Sequence, residues 1–244
     1  MLTRMTPTTN LTPRPVAIVT GASRGLGLAL TERLVADGWH VVVDARDATS
    51  LVAAVGRLPA ASITTVPGDV CDAAHRAALV RAARDAGGLD LLVNNASRLG
   101  PSPQPALADY PLDVLDDVYL TDVIAPLGLV QEALDLLRES SGRVVNVTSD
   151  AAAEAYEGWG GYGSAKAALD QVSAVLAVEN PALRVYAFDP GDMRTQMHQE
   201  AFPGEDISDR PEPATVVPQL MRLVAGELPS GRYQAARLAT AVTA

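Results

Sequence analysis

Short runs of consecutive apolar residues recur along this chain, each followed by a longer Ala- and Leu-rich stretch with helical spacing. Val16-Ala17-Ile18-Val19 and Val41-Val42-Val43 are apolar at every position rather than at alternate ones. A strand of that kind is covered on both faces, the condition of a parallel sheet with helices on either side. The pattern predicts strands over Val16–Thr20, Val41–Ala45, Ile63–Pro67, Leu91–Asn94, Arg143–Thr148, Arg184–Phe188 and Arg232–Ala235. It predicts helices over Leu26–Asp37, Ala48–Val55, Ala73–Ala86, Leu112–Arg138 and Tyr162–Val178. Strand–helix alternation at this spacing builds βαβ units, hence a doubly wound α/β fold. Pro126 falls inside the fourth helical stretch and should kink or split it. No Gly/Ser linker divides the chain, so residues 15–244 read as one domain behind a flexible tail over 1–14. Residues 193–214 break the alternation and carry Pro203, Gly204, Pro211 and Pro213. They read as a mobile segment covering a site.

Aromatic residues are only 4% against 48% hydrophobic residues in all, so the core is built from small aliphatic side chains suited to close helix-on-sheet packing. Lys and Arg number 19 against 29 Asp and Glu, a formal net charge of −10 that a nucleic-acid backbone would repel. Cys71 has no partner for an internal disulfide, and His40, His75 and His198 stand apart in sequence, so no metal site is expected. No apolar run is long enough to span a bilayer. The expectation is a cytoplasmic protein that touches neither nucleic acid nor membrane.

The first strand runs directly into Thr20-Gly21-Ala22-Ser23-Arg24-Gly25-Leu26-Gly27, and a helix follows. Glycines at this spacing allow a tight turn, close backbone approach to a pyrophosphate, and close helix–strand packing. The helix start offers free N–H groups and the positive end of its dipole to the anion. The Gly-Lys-Ser/Thr ending of a P-loop is missing, which disfavours a nucleotide hydrolase.

Further blocks follow in order: Asn94-Asn95-Ala96-Ser97, then Ser149, then Tyr162-Gly163-Ser164-Ala165-Lys166, then Pro190-Gly191-Asp192-Met193-Arg194-Thr195. With the glycine loop, this ordered set resembles the short-chain dehydrogenase/reductase family from Val16 to about Leu238. The resemblance implies a single Rossmann-type domain with a mostly parallel seven-stranded sheet and helices on both faces. It also implies a nicotinamide cofactor seated on Gly21, Ser23, Arg24, Gly25, Leu26 and Gly27. Asp69 and Val70 resemble the family's adenine-binding pair. Asn94 and Asn95 resemble the support of the cofactor's active-site side. Pro190, Gly191 and Thr195 resemble the nicotinamide and phosphate contacts.

At the end of the second strand, Val43-Asp44-Ala45-Arg46-Asp47 decides between NAD and NADP. The NAD-selecting Asp of the family matches Ala45, which cannot hold ribose hydroxyls, while Arg46 and Arg24 can meet a ribose phosphate. NADP is therefore expected over NAD, although Asp44 and Asp47 flank the place and can repel the extra phosphate.

Tyr162 and Lys166 stand four residues apart on one helical face, where the ammonium should favour the phenolate and lower the phenol's pKa. Ser149, thirteen residues before Tyr162, can hydrogen-bond a carbonyl oxygen. Thr148 is its rival, since strand alternation lets only one face the cleft. In the family, the matching tyrosine exchanges a proton with the substrate oxygen, and the lysine also holds the nicotinamide ribose. Asp122 falls where many members carry Asn; a carboxylate there should leave Tyr162 less acidic and move the activity optimum to higher pH.

The function expected is NADP-dependent interconversion of a carbonyl and a secondary alcohol on a small organic substrate. The alternatives are a dehydratase or epimerase without net redox, and a protein that senses the cofactor without turnover. Met193, Met197, Phe202, Trp159 and Tyr156 line a substrate pocket or belong to the core. Glu154 and Glu157 make the approach acidic. His198 reads as solvated. The resemblance further implies a homodimer or homotetramer pairing through Leu112–Arg138 and Tyr162–Val178.

Overall fold

The computed structural model describes residues 14–226 and 228–240. Strands β1 (Val16–Val19), β2 (His40–Val43), β3 (Ile63–Thr65), β4 (Leu91–Asn94), β5 (Arg143–Val147), β6 (Arg184–Asp189) and β7 (Gly231–Gln234) form one sheet in the order β3-β2-β1-β4-β5-β6-β7. Every pairing is parallel, with β1 aligned to β2 through Val16–His40 and to β4 through Ala17–Leu91. The helices are α1 (Gly25–Ala36), α2 (Ala48–Val55), α3 (Ala73–Ala86), α4 (Leu112–Tyr119), α5 (Ala125–Ser140), α6 (Gly160–Glu179), α7 (Gln196–Ala201), α8 (Val217–Ala225) and α9 (Ala235–Thr240). This is the doubly wound, Rossmann-type arrangement expected from the sequence.

Both sheet faces are packed, as the unbroken apolar runs require. Ala17 and Val19 of β1 join Leu26, Leu30 and Leu34 of α1 and Leu220 and Leu223 of α8 on one side. Val16 and Ile18 join Leu79 and Ala83 of α3 and Leu129 and Ala133 of α5 on the other. Successive strand residues thus serve different cores, which is why alternation disappears from the sequence.

Three local features bear on the expectations. The long helical stretch is divided just ahead of Pro126. The chain widens into a π-helical turn over Leu120–Ile124, and Pro126 follows as the second residue of α5. A proline there cannot donate to the carbonyl of Asp122, four residues back, and the wide turn relieves that loss. Second, α7, α8 and α9 were not anticipated, although in α8 Val217, Leu220, Leu223 and Val224 carry helical spacing and all are buried. Third, the tail expected over 1–14 lies outside the described residues except for Arg14. That residue is anchored, donating to the carbonyls of Gly38 at 2.9 Å and Ala61 at 2.8 Å. Among the described residues, no helix is long and apolar enough to cross a membrane.

Candidate active site

In a doubly wound sheet the chain crosses to the other side of the starting strand, here between β1 and β4, and leaves a crevice at the carboxyl ends. A cleft of about 1060 Å³ lies there. It is lined by residues that follow β1 (Gly21, Ser23), β2 (Asp44, Ala45), β4 (Asn95, Ala96), β5 (Thr148, Ser149) and β6 (Pro190, Gly191). Among the residues singled out from sequence, Gly21, Ser23, Arg24, Gly25, Leu26, Arg46, Asp69, Val70, Asn95, Ser149, Tyr162, Lys166, Pro190, Gly191 and Thr195 all line it. Gly27, Asn94 and Asp122 do not; they stand behind its wall.

The glycine loop is held from within. Gly21 has φ +66°, and its N–H donates to Asp44 Oδ1 at 2.7 Å. Asn95 Nδ2 donates to the carbonyl of Thr20 at 2.8 Å and that of Gly21 at 3.2 Å. A Cβ on Gly27 would stand 2.5 Å from Asn95 Nδ2 and 2.6 Å from Gly21 O, so the turn closes only over a bare α-carbon. The helix α1 starts at Gly25 with no side chain capping it, and its first N–H groups remain for a ligand.

Asp44 lines the cleft as expected, but both its oxygens are engaged within the protein. It is almost wholly buried, bonded to Gly21 and, through Oδ2 at 3.0 Å, to His75 Nε2. Asp47 caps α2, accepting from the Ser50 N–H at 2.6 Å, and the Ser50 hydroxyl, then this N–H, hold its carboxyl below the usual range. Arg46 stays on the cleft wall. Asp69 Oδ1 accepts from the Cys71 N–H at 2.9 Å, while Val70 is buried beside it. Asn94 serves as a buried brace: its amide donates to Asn146 Oδ1 at 2.7 Å, and Asn146 donates on to Ser173 Oγ at 2.7 Å.

Tyr162 and Lys166, one turn apart on α6, are both buried, with Nζ 5.4 Å from the phenol ring centroid. Lys166 donates to the carbonyl of Val147 at 3.0 Å and pairs with Asp122 Oδ1 at 3.4 Å. The π-helical turn presents Asp122, fully buried, to this amine. The backbone N–H of Arg98 also donates to Asp122 Oδ1, at 3.2 Å. Burial pushes the Asp122 carboxyl up, and Lys166 pulls it partly back. Burial would push the Lys166 amine down, yet Asp122 and then Tyr162 hold it above its ordinary value. The phenol of Tyr162 is raised, first by burial and further by Asp122, against the opposing pull of Lys166. The lowering expected from Lys166 is therefore present but outweighed, in the direction anticipated for a carboxylate at 122.

Ser149 and Thr148 both line the cleft, against the expectation that only one would. The ladder of β5 ends at Val147, so strand alternation no longer governs them. Thr148 is buried and its Oγ1 finds no hydrogen-bond partner. Ser149 is half-buried, and its Oγ donates to Asp150 Oδ1 at 2.9 Å. Arg232, on β7, was not singled out from sequence. It donates to the Ser149 carbonyl at 2.8 Å and to Asp189 Oδ2 at 3.2 Å, while Asp189 Oδ1 accepts from Gly191 N–H at 3.0 Å. One guanidinium thus ties the serine to the Pro190-Gly191 turn.

Residues 193–214 supply the wall facing α1. Thr195 caps α7 by accepting from His198 N–H at 3.2 Å, and Arg24 donates across to Gln196 Oε1. Met193, Met197 and Trp159 line the cleft; Phe202 stands behind, its ring 5.8 Å from Trp159. Tyr156 is exposed outside it. His198 is not solvated: it packs 4.9 Å from Phe202, and its Nε2 accepts from Arg210 at 3.3 Å.

Residues 15–206 match the short chain dehydrogenase family. The sepiapterin reductase of Mus musculus is 33% identical over 201 residues, 76% of this chain and 77% of that protein. A rhamnolipids biosynthesis 3-oxoacyl-[acyl-carrier-protein] reductase of Pseudomonas aeruginosa is 34% identical over 192 residues, 75% of this chain and 74% of its own. A short chain dehydrogenase from Escherichia coli, solved as a complex with NADPH, superposes with a TM-score of 0.82 at 28% identity, covering 94% of this chain and 99% of that one.

Proposed function

The chain belongs to the short-chain dehydrogenase/reductase family, and on that premise we propose that it is an NADP-dependent reductase interconverting a ketone or aldehyde and its alcohol. The observation that carries the reading is one cleft holding a glycine loop with unclaimed helix N–H groups at one end and Ser149, Tyr162 and Lys166 at the other. The bare α-carbons of Gly21 and Gly27 let the loop close on Asn95 and Ala96, and the uncapped start of α1 suits a pyrophosphate. Ala45 and Arg46 at the end of β2, with Asp44 turned inward, suit a ribose phosphate better than ribose hydroxyls. The NADPH complex of the Escherichia coli relative supports the same choice.

Bound there, the cofactor supplies the hydride or takes it up, and needs no metal to do so. Ser149 hydrogen-bonds the substrate oxygen and steadies charge developing on it. Tyr162 gives its phenolic proton to that oxygen in reduction, and receives one in oxidation. Lys166 stabilises the phenolate that forms and would help hold the ribose of a bound cofactor. Asp122 keeps Lys166 charged in a buried place, at the cost of a less acidic phenol. Met193, Met197 and Trp159 give the substrate an apolar bed. For assembly we propose a homodimer or homotetramer, since Leu120 and Ile124 beside α4 and Val175 and Val178 on α6 leave large apolar side chains on the surface.

The test is NADPH oxidation, followed spectrophotometrically, across a panel of ketones and aldehydes. Stoichiometric loss of NADPH with appearance of alcohol is expected. Turnover of substrate without cofactor consumption would reverse the reading in favour of a dehydratase or epimerase.

A further inference from the structure

The single hydroxyl proton of Ser149 is directed at a neighbouring side chain. Its Oγ donates to Asp150 Oδ1 at 2.9 Å and accepts from Ala151 N–H at 3.2 Å. Asp150 Oδ1 also accepts from Ala151 N–H, at 2.8 Å. The other oxygen, Oδ2, lies 3.2 Å from the Tyr156 hydroxyl, which is itself 2.9 Å from Glu154 Oε2. A phenol has one proton to give, so two carboxylates share it. The Tyr156 phenol is pushed up to about 12, by the Glu154 bond first. Asp150 thus faces the cleft with hydroxyl and amide donors around it, next to the group assigned to the substrate oxygen.

We propose that Asp150 selects the substrate, taking a hydrogen-bond donor, best an ammonium, carried on the carbon next to the reacting carbonyl. The proposal rests on the reductase reading, because it is defined by Ser149's role. To polarise a carbonyl oxygen, Ser149 must turn its O–H away from Asp150. A half-buried carboxylate that loses a donor pays for the loss unless another replaces it. A substrate carrying its own donor supplies the replacement in the same movement. The hydrogen bond from Ser149 to the carbonyl oxygen spans about 3 Å, and Asp150 Oδ1 lies 2.9 Å from the same Oγ. A donor on the adjacent carbon stands close to the carbonyl oxygen, so both groups fit the pair of sites that Ser149 and Asp150 define. A carboxylate at the same place would meet Asp150 as a like charge.

The test compares kcat/KM for aminoacetone, hydroxyacetone, butanone and pyruvate with NADPH, in the whole protein and in Asp150→Asn. Aminoacetone is expected to exceed butanone by about tenfold or more, as for a charge-assisted hydrogen bond. Hydroxyacetone falls between them and pyruvate below. In D150N the aminoacetone-to-butanone ratio falls by about tenfold, and pyruvate rises relative to butanone. Ratios within one enzyme do not depend on the folded fraction, so partial misfolding leaves the comparison intact; Asp150→Ser repeats it with a shorter side chain. Equal ratios in the natural protein and both variants would overturn the proposal and leave the reductase reading standing. NADPH binding without oxidation by any of the four ketones would remove both.

Discussion

At the nucleotide end of the cleft, Asp44, Thr20 and Asn95 hydrogen-bond the glycine loop or the turn against it, mostly at 2.7–3.0 Å. At the reacting end, Thr148 Oγ1 has no partner, Ser149 donates to a side chain that can release it, and Tyr162, Lys166 and Asp122 crowd together in a buried place. The first region is internally satisfied and offers its ligand backbone N–H groups. The second keeps side-chain donors and charges that are costly in isolation and gain from a bound partner. The two ends are expected to fail differently when altered: one in cofactor affinity, the other in turnover, pH response and choice of substrate.

The largest effect is expected at the reacting end. Tyr162→Phe removes the proton carrier and should lower kcat about 100-fold or more. NADPH affinity, read by fluorescence titration, should change far less; a loss confined to NADPH binding would break the division. At the other end, Gly27→Ala drives a methyl against Asn95 and Gly21. Overpacking costs about 1–3 kcal/mol, so NADPH should bind roughly tenfold to a hundredfold more weakly, with kcat at saturating cofactor much less affected. Arg46→Ala sharpens the division within the nucleotide end. Loss of a charged contact to the ribose phosphate should reduce the preference for NADP over NAD by about tenfold, measured as a ratio of kcat/KM values.

Asp122→Asn bears on pH rather than on rate. Removing the carboxylate takes away a charge that raises the Tyr162 phenol, so that phenol becomes more acidic. Alcohol oxidation, which needs the phenolate, should begin to rise at lower pH than in the natural protein. Carbonyl reduction, which needs the phenol, should be lost at lower pH. Superimposable pH–rate profiles would show that Asp122 only packs.

The fold was largely legible because its signal is local. Runs such as Val41-Val42-Val43 carry their two-sided burial in consecutive letters, and Gly21, Gly25 and Gly27 carry their turn. The ordered blocks around Ser149, Tyr162 and Lys166, through their family resemblance, named three side chains that the fold brings to one cleft. What escaped depended on neighbours distant in sequence. Asp44 sits beside Arg46 and reads as a charge near the ribose, yet its oxygens face Gly21 and His75, which come from two other βα units. His198 reads as solvated until Phe202 and Arg210 fold against it. Arg232, eighty-three residues beyond Ser149, reaches its carbonyl only because β7 lies beside β6. The helix α8 is different: its spacing was present in the letters, hidden by the prolines around it.

The sequence by itself determined the parallel sheet and the glycine loop and named the candidate reacting groups, because periodicity, backbone freedom and functional-group chemistry belong to individual residues and their near neighbours. Only the tertiary structure decided which carboxylates face the cleft and which are turned into the protein. It buried Asp122 against Lys166, withdrew Asp44 beneath the loop and left Asp150 at the opening. A carboxylate's effect depends on distance and solvent exposure, and packing among remote segments sets both.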